Sequence, residues 1–370
     1  MLSVFNSQKF RFWSFVSMVL LVYVHGYNLN QGYLQPWTMP SEALTFTSFT
    51  EYFLSNGIFR FRIPLLFIIS GYLFAIGDVK PYKQRAGKRV KTLLYPYLIW
   101  SAVGLILTYV LEMFPYSRNI VAATHMMQID NTRLLLHQYH WYEVIARWIF
   151  FPVSYQLWFI RVLLIYNLMY PLLRWCVTHP LVKKIFFAVA ILFWLSTSGL
   201  ILIEGEGLLF FSLGIWMQKT SFNIDEPGKW LQPKYWMVVF IGLAAMKTLL
   251  AFNANFNGQE IVLLIMHKLV VVSGLIFTWY GCDSVVKYFM SKKLWVWLCA
   301  FSFMIYALHA PLVVYATKAI FLQIENWYAY RLLTYVLLPI CLIVSAVLFG
   351  ALLRKLLPGF YSLVTGGRGL

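Results

Sequence analysis

Long apolar stretches separated by short polar ones run through the chain almost from end to end. Ten of these windows are long enough, or nearly so, to cross roughly 30 Å of hydrocarbon. They cover 10–27, 53–77, 93–114, 155–175, 185–203, 208–217 (short), 235–252, 261–280, 294–316 and 332–353. Backbone polar groups find no partner in lipid, so each window is predicted to be a helix. The pattern predicts an all-α integral membrane protein with about ten transmembrane helices.

Composition excludes a soluble globular fold. Of the 370 residues, 61% are hydrophobic and 12% are charged, whereas soluble domains carry about 25% charged residues. No hydrophilic stretch is long enough to fold separately, so residues 1–370 are predicted to form one membrane-embedded domain. No small-residue cleavage site follows the first apolar run, which we expect to be retained as a helix.

The formal net charge of +17 is distributed unevenly between the connecting segments. Most Lys and Arg residues lie in alternate segments, within 9–11, 80–91, 174–184, 219–234, 287–293 and 354–368. The intervening segments carry Arg118, Arg133, Arg147, Lys318 and Arg331. By the positive-inside rule the first set is cytoplasmic, together with both chain ends. The charge therefore indicates membrane topology, and we expect no nucleic-acid partner.

Five further cations fall inside the apolar windows, namely Arg60, Arg62, Arg161, Lys247 and Lys268. An arginine at bilayer depth costs at least about 2.5–3.5 kcal/mol on insertion scales. No Asp lies in any window, and Glu112 lies near a window end, so few acidic partners are expected. A cavity that receives an anionic ligand would explain the imbalance. The alternative is snorkelling of the long side chains, which suits Lys247 in particular.

The first window contains His25 and the ninth contains His309. Each is either a structural hydrogen-bonding group or a base, since imidazole accepts a proton near physiological pH. The remaining histidines show no HExxH-like spacing, and the four cysteines show no CxxC or CxxH spacing. We therefore predict no metal site and no disulfide framework.

The segment 62–74 combines Pro64 with the pair Ser70-Gly71 inside an apolar window. A kinked helix that lines a cavity is expected there. The following stretch, 80–91, carries six basic residues. It is either an anchor for anionic lipid or a landing site for a polyphosphorylated donor.

Five segments occur in a fixed order: RIPLLFIISGYLF (62–74), KRVKTLLYPYLIW (88–100), LWFIRVLLIYNLMYPLL (157–173), LLFFSLGIWM (208–217) and SFMIYALHAPLV (302–313). Together they resemble the acyltransferase type 3 family of bacterial membrane acyltransferases, over nearly the whole chain. The resemblance implies transfer of an acyl group, usually acetyl, from cytoplasmic acyl-CoA to hydroxyls of surface glycans or related molecules. It also implies a multi-pass protein of the inner (cytoplasmic) membrane.

The resemblance assigns roles to individual residues. The family's first helix carries a basic residue, ten intervening residues and a histidine regarded as catalytic. His25 matches the histidine, whereas Ser14 stands at the basic position. Arg11 lies about one helical turn earlier and is expected to substitute for it. A basic motif at the start of the family's third helix is proposed to hold the CoA phosphates, and the residues that fit this region are Arg85, Lys88, Arg89 and Lys91.

The sequence thus predicts an O-acyltransferase that uses acyl-CoA, with acetyl-CoA implied by the resemblance. His25 would act as general base on a hydroxyl of a glycan or lipid-linked glycan, and Arg62 or Arg161 would stabilise the oxyanion. The other residues expected to line the cavity are Arg11, Ser70, Trp158, Tyr306 and His309. Ser70 has no base adjacent in sequence that would make it an acyl-carrying nucleophile. The alternative function is a transporter or permease for an anionic glycan or lipid-linked intermediate, which ten helices and buried cations would fit equally well.

Overall fold

The computed structural model describes residues 2–29, 34–128, 133–199, 202–253, 256–323 and 328–369. Within these ranges the regular elements are helices, and Gly199 and Glu204 form an isolated antiparallel bridge. The predicted all-α class is therefore confirmed.

The α-helices of the described ranges are numbered in chain order. They are α1 Val4–His25, α2 Phe46–Tyr52, α3 Arg62–Ile76, α4 Tyr82–Arg89, α5 Tyr95–Glu112, α6 Pro115–Ala123, α7 Trp141–Ile149, α8 Trp158–Leu168, α9 Tyr170–Thr178, α10 Val182–Leu195, α11 Gly205–Lys219, α12 Pro233–Asn253, α13 Gln259–Gly281, α14 Asp283–Met290, α15 Lys293–Leu298, α16 Ser302–Gln323, α17 Tyr328–Leu356 and α18 Pro358–Thr365.

Six helical stretches in the described part of the chain are long and apolar enough to cross a membrane. They are Phe46–Val79, Tyr82–Glu112, Pro233–Asn253, Gln259–Gly281, Lys293–Gln323 and Tyr330–Leu356. A seventh results if Tyr155–Leu168 and Tyr170–Thr178, which meet at 68°, form one span. The chain is therefore a multi-pass membrane protein. The total of about ten spans and the cytoplasmic position of both ends remain predictions.

Helix α1 explains part of the difference in the number of spans. It has 22 residues and packs against α3, α16 and α17, with Phe10, Phe12, Trp13 and Phe15 buried. A helix surrounded by protein needs less apolar surface than one that faces lipid, so hydropathy identifies it weakly. Helices α10 and α11, at 14 and 15 residues, are shorter than a typical span.

Helices α3 and α11 cross at two glycines. A Cβ added to Gly71 would lie 2.1 Å from the carbonyl oxygen of Phe211, and one added to Gly214 would lie 2.2 Å from that of Ile68. Side chains cannot fit into gaps of this size. Small residues at such crossings let two membrane helices approach closely, and here they fix the position of α3 beside the site.

The irregular part of this region lies before α3. Residues Phe53–Gly57 form a π-helical turn and Ile58–Phe61 a 3₁₀ turn, after which α3 runs unbroken. Pro64 falls in the first turn of α3, where the missing N–H has no intrahelical partner to lose. The predicted kink within 62–74 is therefore wrong, and the irregular backbone instead releases carbonyl groups between residues 53 and 61.

Ion pairs fasten both ends of the stretch 46–79. At one end Asp78 contacts Arg85 at 2.6 Å, Arg174 at 3.2 Å and Lys219 at 2.5 Å. These three partners belong to three of the segments predicted to be cytoplasmic. At the other end Arg331 contacts Glu42 at 2.7 Å and Glu51 at 2.9 Å. Segments far apart in sequence are thereby held together around the central helices.

Candidate active site

Besides an apolar cavity beside Phe10 and Trp216, three cavities with charged side chains in their linings lie among the described helices. Each of these three is named here by its position or by one lining residue. The central cavity, of about 250 Å³, is lined by residues that include His25, Arg62, Trp158, Phe159, Lys268 and Tyr306. The Arg368 cavity, of about 250 Å³, is lined by residues that include Ser14, Ser70, Arg89, Phe159, Asn167, Tyr306 and Arg368. The His125 cavity, of about 670 Å³, is lined by residues that include His25, His125, Arg147, Tyr155 and Thr317.

Shared lining residues place these cavities in a row. Phe159 and Tyr306 line both the Arg368 cavity and the central cavity, and their rings lie 6.3 Å apart in an edge-to-face arrangement. His25 and Tyr155 line both the central cavity and the His125 cavity. Two thin walls of side chains therefore separate three consecutive spaces.

His25 stands in the second of these walls, as the last residue of α1. Its ring packs edge-to-face against Tyr155 at 4.9 Å and stacks on His309 at 5.6 Å. His309 Nδ1 lies 2.8 Å from the carbonyl oxygen of Tyr306, so Nδ1 carries the proton and Nε2 is left as an acceptor. The imidazole of His25 is thus held between two rings while it borders two cavities.

A break in α16 shapes the wall around Tyr306. The backbone of Ala310 is extended, and Pro311 follows it. Proline has no N–H, so the carbonyl of Ala307, four residues earlier, loses its helical donor. Gln156 supplies donors instead, with Nε2 at 3.2 Å from the Ala307 oxygen and 2.9 Å from the Ala310 oxygen. In return Tyr306 Oη donates to the Gln156 carbonyl at 2.7 Å.

Backbone carbonyls of the irregular segment 53–61 bind the nearby cations. Each of three long basic side chains donates a hydrogen bond of 2.7–2.8 Å to one of them. The pairs are Arg60 Nε with Ser55, Arg62 Nη1 with Phe59, and Lys247 Nζ with Asn56. The irregular backbone makes these carbonyl oxygens available to side chains. Their hydrogen bonds to the basic side chains therefore offset the free-energy cost of burying the charges.

Lys247 does not snorkel to the membrane surface. The residue is 0% exposed, and its Nζ also lies 3.1 Å from His267 Nδ1. Snorkelling is therefore wrong for this side chain, because hydrogen-bond partners are available inside the bundle.

Acidic side chains also reach the central cavity. Glu204 and Glu206 line it together with Lys268. The Glu204 carboxylate caps α11 by accepting hydrogen bonds from the N–H groups of Glu206 at 3.0 Å and Gly207 at 2.7 Å. The expectation of few internal acids is therefore corrected. The helix begins at Gly205, ahead of the apolar window, and so carries these acids into the bundle.

Several predicted site residues lie together. Arg62, Trp158 and Tyr306 line the central cavity with His25, and Ser70 lines the Arg368 cavity. Arg161 lies elsewhere, with Nη1 donating to the carbonyl of Phe150, and it borders none of the three cavities.

Arg11 also lies apart from the cavities. Its Nη2 donates to the Val296 carbonyl at 2.7 Å, whereas Ser14 lines the Arg368 cavity. Arg11 and Arg161 are therefore not placed in the site, because neither lines any of the three named cavities.

The predicted phosphate-binding cluster divides into three kinds of residue. Arg89 lines the Arg368 cavity. Arg85 is tied to Asp78 at 2.6 Å and to the Phe74 carbonyl at 2.9 Å. Lys88 and Lys91 are exposed at the surface. Of the four, Arg89 is thus the one with access to a described cavity.

Sequence reasoning predicted His25 and Tyr306 but missed the other residues that form the walls. Tyr155, Gln156 and Phe159 are apolar or neutral residues whose sequence shows nothing unusual, and Arg368 lies beyond the last apolar window. Pro311 indicates that the carbonyl four residues earlier loses its helical hydrogen bond, but it does not indicate which side chain replaces the donor. In the described ranges, no group of three His, Cys, Asp or Glu side chains is placed to hold a metal ion.

The fold and the site together define a multi-pass membrane protein with a row of polar cavities, two of which are bordered by the imidazole of His25. The chain belongs to the acyltransferase type 3 family, because the family model described as an acyltransferase domain matches residues 11–354. The resemblance drawn from the five segments is thus confirmed, and the chain is an acyltransferase that transfers groups other than amino-acyl groups.

One relative and the known structures complete the comparison. The chain is 27% identical over 329 residues to the succinoglycan biosynthesis protein ExoH of Rhizobium meliloti (strain 1021), covering 85% of this chain and 81% of that protein. No solved structure matches the chain.

Proposed function

We propose that this protein is an O-acyltransferase of the inner membrane that moves an acetyl group from cytoplasmic acetyl-CoA to a hydroxyl of a surface polysaccharide or a lipid-linked glycan. The observation that carries the proposal is the position of His25. Its imidazole lies in the wall between two cavities, where an acyl donor from one side and a hydroxyl from the other would meet. A base at such a meeting point would accelerate acyl transfer to the hydroxyl.

The reaction needs one proton transfer and one exchange of bonds. His25 accepts the proton of the acceptor hydroxyl while the oxygen attacks the thioester carbonyl. A C–O bond forms, the C–S bond breaks, and the CoA thiolate leaves and takes up the proton. The products are the ester and free CoA, so no further reactant is required.

Arg62 is the residue proposed to stabilise the charge that develops on the thioester oxygen. It lines the central cavity with His25. Its guanidinium is held by a hydrogen bond from Nη1 to the Phe59 carbonyl at 2.8 Å. A charge fixed before the reaction stabilises a developing oxyanion without reorganisation, and such donors contribute about 10²–10³-fold in other enzymes.

The donor would enter through the Arg368 cavity and the acceptor through the His125 cavity. The first contains Arg89 and Arg368 and borders segments predicted to be cytoplasmic. The second, larger at about 670 Å³, contains His125, Arg147 and Lys318 from the opposite segments. A glycan acceptor is supported by the relative from Rhizobium meliloti, which is named for the biosynthesis of succinoglycan.

The proposal is tested with purified protein in lipid nanodiscs, supplied with acetyl-CoA and a glycan extract. Release of free CoA is followed with a thiol reagent, and acetyl incorporation by mass spectrometry. We expect His25→Ala to lower the rate by about 10²–10⁴-fold, the usual contribution of a general base. His179→Ala, a change at an exposed histidine, is the matched control and should leave the rate unchanged.

Full activity of correctly folded His25→Ala protein would refute the role of the imidazole. Movement of glycan across the membrane without consumption of acetyl-CoA would instead support the permease.

A further inference from the structure

Arg368 reaches a cavity from a part of the chain that lies beyond the last apolar window. Helix α18 is clamped to α5 by a hydrogen bond of 2.9 Å from Trp100 Nε1 to the Val364 carbonyl. The chain then turns at Gly366, which has φ +63°, and a Cβ at this position would lie 2.2 Å from the carbonyl oxygen of Thr92. Glycine is required here both for the left-handed backbone and for the close approach.

The guanidinium of Arg368 is held in place by the same segment of the chain. Nη1 donates to the carbonyl of Thr92 at 3.0 Å and to that of Thr365 at 2.9 Å. The guanidinium carbon lies 4.9 Å above the ring of Phe303. Since the planar fork is fixed by three contacts, the side chain loses little further entropy when it binds a ligand.

Arg89 lines the same cavity, and the two arginines form a pair of like charges. In the described part of the chain, neither one makes an ion pair with a carboxylate. Arg85, one turn of helix away from Arg89, differs because Asp78 neutralises it. Burial and then the positive charge of Arg89 lower the pKa of Arg368 to about 10. Guanidinium groups stay charged at neutral pH in proteins, so an anion between the two would relieve their repulsion.

The other polar groups of this cavity are neutral, namely Ser14, Ser70, Asn167, Ser302 and Tyr306. Two arginines with neutral hydrogen-bonding groups around them suit a phosphate, which accepts several charge-assisted hydrogen bonds. The aromatic rings of Phe159 and Tyr306 line both this cavity and the central cavity.

We propose that Arg368, supplied by the C-terminal segment, completes a phosphate-binding site with Arg89, the residue that the family resemblance already assigns to the CoA phosphates. The ligand is a phosphate or diphosphate group of acyl-CoA, and this assignment depends on the proposed function. An anionic phospholipid offers the same chemistry, so the experiment separates the two sources.

Binding of CoA to the full-length protein is measured by calorimetry in nanodiscs of neutral phosphatidylcholine, beside the KM for acetyl-CoA. Arg368→Gln should weaken CoA binding and raise this KM by about 10- to 100-fold, the range for one lost charged hydrogen bond. The kcat should stay within a few-fold, because Arg368 does not line the central cavity that His25 borders. Arg368→Lys keeps the positive charge, so its CoA affinity should fall by less than that of Arg368→Gln.

Lys355→Gln is the matched control, because it removes a positive charge from an exposed position on α17. It should leave CoA affinity unchanged. Thermal unfolding of each variant in the same nanodiscs establishes that the fold is intact. If Arg368→Gln lowers the unfolding temperature, the comparison is made with Arg368→Lys and Arg89→Lys, which preserve the charge.

The failure of this site and that of the proposed function give different results. Wild-type CoA affinity in folded Arg368→Gln protein overturns the site, even if acyl transfer proceeds. Arg368-dependent CoA binding without any acyl transfer supports the site and overturns the function. Loss of bound phosphatidylglycerol in Arg368→Gln protein, seen by native mass spectrometry with CoA affinity unchanged, would assign the site to lipid and overturn the CoA assignment.

Discussion

Backbone carbonyl groups bind several basic side chains inside this bundle. Arg60, Arg62 and Lys247 each donate to a carbonyl of the irregular segment 53–61, and Lys268 Nζ donates to the Trp194 carbonyl at 2.7 Å. The sequence predicts cations at bilayer depth, because basic residues are easily recognised inside apolar windows. It does not predict their partners, because the π-helical and 3₁₀ turns that release the carbonyls have no sequence signature of their own.

Gln156 fills the same kind of role at the break in α16, and this leads to a prediction. Gln156→Leu removes the donors to the carbonyls of Ala307 and Ala310 at nearly constant side-chain size. A buried carbonyl left without a partner costs about 1–3 kcal/mol. We therefore expect the free energy of unfolding in detergent micelles to fall by about this amount, measured by denaturant titration.

The control for Gln156→Leu is a glutamine on the surface. Gln128 is exposed, so Gln128→Leu should change the free energy of unfolding by less than about 0.5 kcal/mol. Equal stability of the two variants would show that the break in α16 does not depend on Gln156.

At the scale of helices, sequence and structure agree best for three long apolar helices. The windows 235–252, 261–280 and 332–353 correspond to α12, α13 and α17 within a few residues at most ends. Agreement is poorer for the window 208–217, where α11 starts earlier with Glu204 as its cap. Polar residues at the ends of a helix lower the mean hydropathy there, so the apolar window is shorter than the helix.

The crossing of α3 and α11 gives a prediction at this scale. Gly214→Val would place methyl groups against the carbonyl oxygen of Ile68 and the backbone nitrogen of Tyr72, which lie 2.2 and 2.9 Å from the added Cβ. Overpacking of this kind costs about 1–3 kcal/mol or more. We expect a lower unfolding temperature for the variant in the same detergent.

Gly242 in α12 offers the matched control, since a Cβ there meets nothing within 4 Å. Gly242→Ala should leave the unfolding temperature unchanged or raise it slightly, because alanine favours a helix over glycine by about 1 kcal/mol. A Gly214→Val protein as stable as Gly242→Ala would contradict the close crossing.

The whole molecule has a predicted orientation that can be measured. In a variant whose four native cysteines are replaced by alanine, Asn119→Cys and Lys184→Cys place single thiols at exposed positions on opposite predicted sides. By the positive-inside rule we expect a membrane-impermeant maleimide to label Asn119→Cys protein in cells with a permeabilised outer membrane. Lys184→Cys protein should react only after the inner membrane is opened. The reverse pattern would invert the topology and the assigned entry routes.

The row of three cavities implies that donor and acceptor are bound on different sides of His25. Ser14→Trp places a large ring in the Arg368 cavity, and Ala123→Trp places one in the His125 cavity. If the cavities admit separate substrates, Ser14→Trp raises the KM for acetyl-CoA by about tenfold or more and Ala123→Trp raises that for the acceptor instead. Gly242→Trp, where added atoms meet open space, should change neither constant. If both cavity variants altered the KM of the same substrate, the two would share one entrance, and His25 would not separate a donor side from an acceptor side.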